Sequence, residues 1–125
     1  MFLIYYPILS NMLMQFAYLN RNEIQRQIDS GNLHGCRLYP RVNFGPIGPH
    51  PIGSYETCCN ASALSHATSW FMQNRGNLSI LLHPLTRWEI IDHSDRAMWL
   101  GKSAPLDLSA LEWDTGVPDR CLIMH

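Results

Sequence analysis

The segment "GPIGPHPIGSYE", residues 45–56, limits the fold strongly because three glycines and three prolines stand in its first nine positions. Proline fixes φ and removes a backbone donor, so the segment is neither a helix nor a central strand. We predict a stiff loop between two elements of secondary structure. This loop holds His50 between Pro49 and Pro51, where the backbone is biased toward an extended conformation.

Length and composition indicate an ordinary globular protein. A chain of 125 residues with 46% hydrophobic and 15% charged residues is long enough to bury a core, and it suggests a single domain. We assign residues 1–111 to this domain and residues 112–125 to a C-terminal tail. The net charge of −1 and the lack of a basic run predict no nucleic-acid partner.

The first twenty residues carry no charged side chain and raise the question of a signal peptide or membrane span. They have no positive leader region, and Pro7 and several polar residues interrupt them. We therefore predict a core strand, "FLIYY", followed by a turn and a helix. This interpretation implies a cytoplasmic protein without membrane contact.

Hydrophobic periodicity and capping residues predict the remaining elements. The first helix begins at Ser10 or Asn11 and runs to about Asp29. Further strands are expected at residues 36–43, 52–59 and 78–82, a second helix between Ser62 and Gly76, and a third helix from Thr86 to just before Gly101. The order β-α-β-β-α-β plus a C-terminal helix is the α+β, ferredoxin-like plait. Its second sheet face must be covered by a partner, the C-terminal segment or a ligand.

The four cysteines fit no zinc motif. Cys58 and Cys59 are adjacent, so on a strand they point to opposite faces. We interpret all four as reduced, packed thiols of an intracellular protein.

Three histidines stand at the ends of predicted elements. His50 lies on the stiff loop, where the alternative is an exposed turn residue. His83 ends the strand "LSILL", where the alternative is a hydrogen bond to a backbone carbonyl. His93 shares a predicted helix face with Glu89 and Arg96, which is either a solvated stripe or an acid/base and anion-binding surface.

These residue types are compatible with more than one chemistry. Two histidines and a carboxylate hold ferrous iron with open positions for oxygen, and three neutral ligands hold zinc. Glu56 and Asp92 are the candidate carboxylates. Histidine also suits proton transfer near neutral pH. Nucleophile-elbow, phosphate-loop and dinucleotide motifs are absent from the sequence.

Four blocks carry a resemblance to a known family: "GPIGPHPIGSYE", "NRGNLSILLHPLTR", "DHSDRAMWLG" and "PLDLSAL". In this order they resemble the DOPA 4,5-dioxygenase-like family, of the fungal betalain-pathway type and its bacterial relatives rather than the LigB type. The resemblance extends from about residue 35 to 111. It implies a ferredoxin-like fold, often dimeric, and extradiol-type opening of a DOPA-like catechol by O₂ at non-haem iron(II).

Matched to the family's motifs, four residues receive roles, and a fifth, Tyr55, is predicted beside them. His83 is predicted as a metal ligand, and His50 as a ligand or an acid/base. His93 is predicted as the catalytic acid/base, and Arg96 as the anchor of a substrate carboxylate. Tyr55 is predicted to contact the substrate.

The family typically carries an H-x-H pair in its first strand, where this chain has Met1 and Leu3. Either the start lies upstream or these two groups have been lost. The alternative function is therefore a non-catalytic, ferredoxin-like dimeric binding protein. A zinc-dependent hydrolase or isomerase is a third possibility without a motif of its own.

Overall fold

The computed structural model describes residues 1–6, 11–118 and 121. In chain order the elements are β1 (Phe2–Tyr6), α1 (Asn11–Asp29), β2 (Cys36–Asn43), β3 (Gly53–Cys59), α2 (Leu64–Asn74), β4 (Ser79–Leu82), α3 (Glu89–Asp92) and β5 (Met98–Leu100). Two 3₁₀ turns, Ala61–Ala63 and Leu108–Ala110, complete the described structure.

The five strands form one antiparallel sheet in the order β2-β3-β1-β4-β5. Its first four strands have the arrangement of a ferredoxin-like plait, so the α+β prediction is confirmed. β1 lies at the centre, where Leu3 stands opposite Glu56 on β3 and Leu81 on β4. This central position explains why every residue of "FLIYY" is buried.

Alternation along β1 divides the core between the two faces of the sheet. On the first face, Phe2, Ile4 and Tyr6 pack with residues of α1 and α2, including Ala17 and Phe71. The second face carries Leu3, Tyr5 and Leu81. We call this second face the site face, because the three candidate histidines lie on it.

The site face is covered by residues that follow β4. Trp99 of β5 and Leu106 pack on its apolar cluster. The backbone N–H of Asp107 donates to the carbonyl of Pro49 at 2.9 Å, which ties this segment to the stiff loop. Of the three covers considered from the sequence, the C-terminal segment is the one that the structure shows.

The third helix is shorter than predicted. α3 has four residues, and β5 occupies the end of the expected helix and pairs with β4. The expected capping box does not form, because the backbone N–H and hydroxyl of Thr86 donate to the carboxylate of Asp92. The carboxylate of Glu89 instead accepts the N–H of Glu112 at 3.0 Å. His93 and Arg96 therefore follow the helix and do not share a helix face with Glu89.

The earlier helices agree with the prediction in extent. α1 covers Asn11–Asp29, and its expected cap at Ser10 or the Asn11 side chain lies outside the described residues. The predicted cap Ser62 is wrong, because the side chain of Asn60 accepts the N–H of Ala63 ahead of α2.

No helix within the described ranges is long and apolar enough to cross a membrane.

The prediction of reduced cysteines is wrong. Cys36 forms a disulfide with Cys59, directly opposite on the neighbouring strand, and Cys58 forms one with Cys121. The adjacent pair does point to opposite faces, so each sulfur meets a different partner. Because disulfides are typical of oxidising compartments, the argument for a cytoplasmic location loses its support, and that location stays a prediction.

Candidate active site

His83 and His93 form a close ring pair. His83 directly follows β4 and is buried, and His93 caps the C-terminus of α3. Their ring centroids are 4.0 Å apart, with the planes tilted by 35°. The short helix α3 thus places its terminal histidine against the histidine that ends the strand.

Backbone carbonyls fix both rings of this pair. The Nδ1 of His83 lies 2.7 Å from the carbonyl oxygen of Pro84, and the Nδ1 of His93 lies 2.8 Å from that of Glu89. A carbonyl only accepts, so each Nδ1 carries a proton and donates it. In a neutral ring the Nε2 then has a lone pair, suited to a metal ion or to a substrate proton. The hydrogen bond of His83 to a backbone carbonyl, which was the alternative to a functional role, is therefore present. It does not exclude such a role, because Nε2 stays available.

His50 is held from both sides of its ring. Its Nδ1 lies 2.8 Å from the phenol oxygen of Tyr5, in a buried hydrogen bond. Its Nε2 lies 3.9 Å from a carboxylate oxygen of Glu56. His50 is only 8% exposed, so the stiff loop delivers it to the site face and not to solvent.

Burial sets the charge of two histidines. Desolvation, with a smaller effect of a charge on His93, lowers the pKa of His50 to about 4. The same two causes, in the same order, lower the pKa of His83 to about 3. Both rings are therefore neutral at pH 7, and the contact between His50 and Glu56 is polar rather than an ion pair. The effect of His93 on both pKa values also places the three histidines within electrostatic reach of one another.

Two open clefts border His83 and His50. A cleft of about 440 Å³ is lined by His83, Arg96 and mostly apolar side chains, among them Leu64, Leu82 and Met98. A smaller cleft of about 230 Å³ contains His50 and Glu56 and is lined in part by β2. The larger volume lies in the range of small-molecule sites.

Arg96 is anchored beside the larger cleft. Its Nη1 donates to the carboxylate of Asp92 and to the hydroxyl of Thr86, both at 3.1 Å. Its side chain is 43% exposed, so the guanidinium still faces solvent. Because the buried carboxylate of Asp92 also binds Thr86, Asp92 is occupied as a structural acceptor, whereas a carboxylate oxygen of Glu56 lies 3.9 Å from His50.

The predicted substrate contact of Tyr55 is contradicted by its position. Tyr55 points to the helix-covered face and is 1% exposed. Its hydroxyl donates to the carbonyl of Ala17 or to the side chain of Asn20, both at 3.0 Å. Tyr55 therefore packs in the core, on the face opposite to the histidines.

Sequence reasoning missed Tyr5 and Trp99. Tyr5 contacts His50, and its ring centroid is 5.6 Å from that of Trp99. Alternation from Leu3 places Tyr5 on the site face, so this signal was present in the sequence. The expected third helix concealed Trp99, because a strand at Met98–Leu100 was not predicted.

The described residues do not fit the expected metal centre. Within residues 1–6, 11–118 and 121, no group of three or more His, Cys, Asp or Glu side chains could hold a metal ion. The pair His83 and His93 offers two nitrogen donors, and Leu3 stands where the family's first strand carries a histidine.

Comparison with known proteins gives consistent matches. The sequence profile of the Dopa 4,5-dioxygenase family matches residues 2–110. A protein of Amanita muscaria named DOPA 4,5-dioxygenase is 43% identical over 97 residues, which are 78% of this chain and 42% of that protein. An uncharacterised 21.2 kDa protein of Botryotinia fuckeliana is 39% identical over 75 residues, which are 54% of this chain and 41% of that protein.

A solved structure is similar as well. The crystal structure of a Nostoc punctiforme protein, described as a candidate dioxygenase, has a TM-score of 0.70 and 25% identity, with 87% of each chain covered. The present chain spans less than half the length of the two curated relatives that it matches.

Proposed function

Because the chain belongs to the Dopa 4,5-dioxygenase family, we propose that it opens the ring of a DOPA-like catechol with O₂, in an extradiol-type reaction. The observation that carries this proposal is the convergence of three histidines on the site face. His50 comes from the stiff loop, His83 from the end of β4 and His93 from the end of α3. His83 and His93 are in ring contact, and His50 lies within electrostatic reach of His93.

Ring opening requires proton transfer as well as oxygen. A dioxygenase places both oxygen atoms in the product, and the extradiol reaction breaks a ring bond next to the two hydroxyl-bearing carbons. The catechol must lose protons on the way. His93, half-buried and with Nδ1 fixed by a carbonyl, is the proposed acceptor through Nε2. His83 is a weak base, since burial lowers its pKa to about 3, and it suits hydrogen bonding or metal ligation.

The larger cleft is the proposed substrate site. Its apolar side chains favour an aromatic ring, and Arg96 supplies a guanidinium for a carboxylate. This arrangement supports an aromatic acid as the substrate. Iron(II), O₂ as co-substrate and a homodimer belong to the same proposal, with zinc as the alternative metal.

The decisive experiment is reconstitution. The chain is loaded with ferrous iron without oxygen, mixed with DOPA or caffeate, and then exposed to air. We expect O₂ consumption and a yellow ring-cleavage product, both lost in His93→Asn. His66→Asn is the matched control, because His66 is exposed on α2. Absence of product, together with absence of iron retention, would contradict the proposal.

A non-catalytic dimeric binding protein is the second candidate. It is favoured by the lack of a three-ligand group among the described residues and by Leu3 on the site face. It predicts that catechols bind without added metal and are recovered unchanged. Calorimetry followed by chromatography of the bound ligand separates the two candidates, and sedimentation tests the dimer.

A further inference from the structure

Tyr5 makes a contact that the proposed chemistry does not yet use. It is 1% exposed at the centre of the sheet, and its hydroxyl is 2.8 Å from the Nδ1 of His50. Its ring also packs between His50 and Trp99, with both centroid distances at 5.6 Å. A buried phenol in direct contact with a buried imidazole determines which nitrogen of that imidazole carries the proton.

The phenol is the donor in this hydrogen bond. If the Nδ1–H of His50 donated instead, the hydroxyl hydrogen of Tyr5 would need another acceptor. Within the described part of the chain, its hydroxyl bonds to no other group. A buried hydroxyl without an acceptor carries the full cost of a lost hydrogen bond. A phenol is also protonated at neutral pH.

The opposite side of the imidazole favours the same proton position. The Nε2 of His50 lies 3.9 Å from a carboxylate oxygen of Glu56. A protonated Nε2 is attracted by this carboxylate, whereas a lone pair at that distance is repelled. Tyr5 and Glu56, on opposite sides of the ring, therefore favour the same tautomer.

We propose that Tyr5 is a positioning residue that holds His50 as the neutral Nε2–H tautomer, directed toward Glu56 and the smaller cleft. His50 can then donate a hydrogen bond only to a substrate oxygen that reaches the smaller cleft, and it is not a metal ligand, since Nδ1 is occupied by the phenol and Nε2 carries the proton. The catalytic part of this inference rests on the proposed function, whereas the tautomer does not.

Nitrogen NMR of the histidine rings tests the tautomer directly. The ¹⁵N-labelled 125-residue chain is measured at pH 7 without metal or substrate, and His50 is assigned by substitution to Asn. We expect an unprotonated Nδ1 and a protonated Nε2. In Tyr5→Phe, which keeps the ring but removes the hydroxyl, a substantial Nδ1–H population should appear. A protonated Nδ1 in the wild-type protein would overturn the proposal even if no variant folded.

The matched control is Tyr6→Phe. Tyr6 is equally buried on the same strand but points to the other face, where its hydroxyl donates to the carbonyl of Asn43. The His50 signals should be unchanged in this variant. Equal changes in both tyrosine variants would mean a general loss of packing and would overturn the positioning role.

Kinetics separate this inference from the proposed function. If the wild-type protein opens a catechol ring, Tyr5→Phe should lower kcat by about tenfold or more with little change in KM, as expected when a proton donor is misplaced. An unchanged kcat alongside a changed tautomer would overturn the catalytic part. If the wild-type protein is inactive, the proposed function fails, while the NMR result still decides the role of Tyr5.

Discussion

The imidazole of His93 lies against that of His83, with 4.0 Å between the ring centroids. Each ring donates Nδ1–H to a nearby backbone carbonyl, so neither is free to rotate away without losing a hydrogen bond. A proton added to one ring raises the cost of a proton on the other, because the like charges are close and partly desolvated. A charge on His93 therefore lowers the pKa of His83.

Substitution of His93 should raise the pKa of its neighbours. In His93→Asn the pKa of His83 and of His50 should increase, because a charge on His93 lowers both. Both values should stay below 6.5, since desolvation is the larger cause and remains. NMR titration of the ring protons measures both pKa values.

The control for this titration is His66→Asn, on the helix-covered side of the sheet. It should leave the pKa values of His83 and His50 unchanged. A pKa for His83 that stays the same in His93→Asn would contradict the close ring pair.

Folding stability should fall in mild acid. His50 and His83 have folded-state pKa values of about 4 and 3, below the unfolded value of 6.5. Because the unfolded chain binds more protons, their contribution is fully present above pH 6.5 and decreases as the pH falls toward these folded values. Each histidine should account for a loss of roughly 2–3 kcal/mol of unfolding free energy between pH 7 and pH 4.

Urea unfolding at several pH values measures this loss. His50→Gln should show a weaker pH dependence than the wild-type protein. His34→Asn, at an exposed turn position, should not differ from it. Equal pH dependence of all three proteins would mean that His50 is not buried in its neutral form.

The fold could be predicted where local patterns and tertiary packing agree. "FLIYY" is apolar throughout and becomes the central strand β1, buried on both faces. The prolines around His50 do form a loop at the sheet. The T-x-x-E pattern at Thr86 was misleading, because a capping box competes with Asp92, whose carboxylate binds the same hydroxyl six residues away. The hydrogen bond between Thr86 and Asp92 cannot be read from the spacing of residues along a helix, because it forms around the short α3 and not within it.

The candidate site could also be predicted where local sequence was informative, and not where tertiary contacts decide. His50 and His83 were found by their position beside prolines, whereas His93 was selected on a helix face with Glu89 and Arg96 that the short α3 does not form. Tyr55 was misassigned because closeness to His50 in sequence does not decide which face a strand residue takes. The pairing of Cys36 with Cys59 depends on the strand register, which follows from the assembled sheet.

Arg96 should distinguish substrates by their charge. If its guanidinium binds the carboxylate, Arg96→Met should raise KM for a catecholic acid about tenfold or more, while 4-methylcatechol should be little affected. Arg26→Met is the matched control, since Arg26 is exposed on α1 and pairs with Glu23. Steady-state kinetics with both substrates test this expectation. An equal increase of KM for both would point to damage of the cleft, because Arg96 also supports Asp92 and Thr86.

The Cys36–Cys59 disulfide should contribute measurably to stability. It joins neighbouring strands across a sequence separation of 23 residues. Closing a loop of that length restricts the unfolded chain, which is worth about 3 kcal/mol. Replacing both cysteines by alanine should therefore lower the unfolding free energy by about this amount, as measured by guanidinium unfolding without reductant. Alanine avoids burying a new hydroxyl at Cys36, which is 3% exposed.

Reductant supplies the control for this last prediction. The wild-type protein should lose stability in dithiothreitol, and the double alanine variant should lose less, since only the pair Cys58 and Cys121 remains to be reduced. Alkylation of the native protein followed by mass spectrometry should find no free thiol. Four alkylated cysteines in the purified, unreduced protein would contradict both disulfides and would restore the argument for a cytoplasmic location.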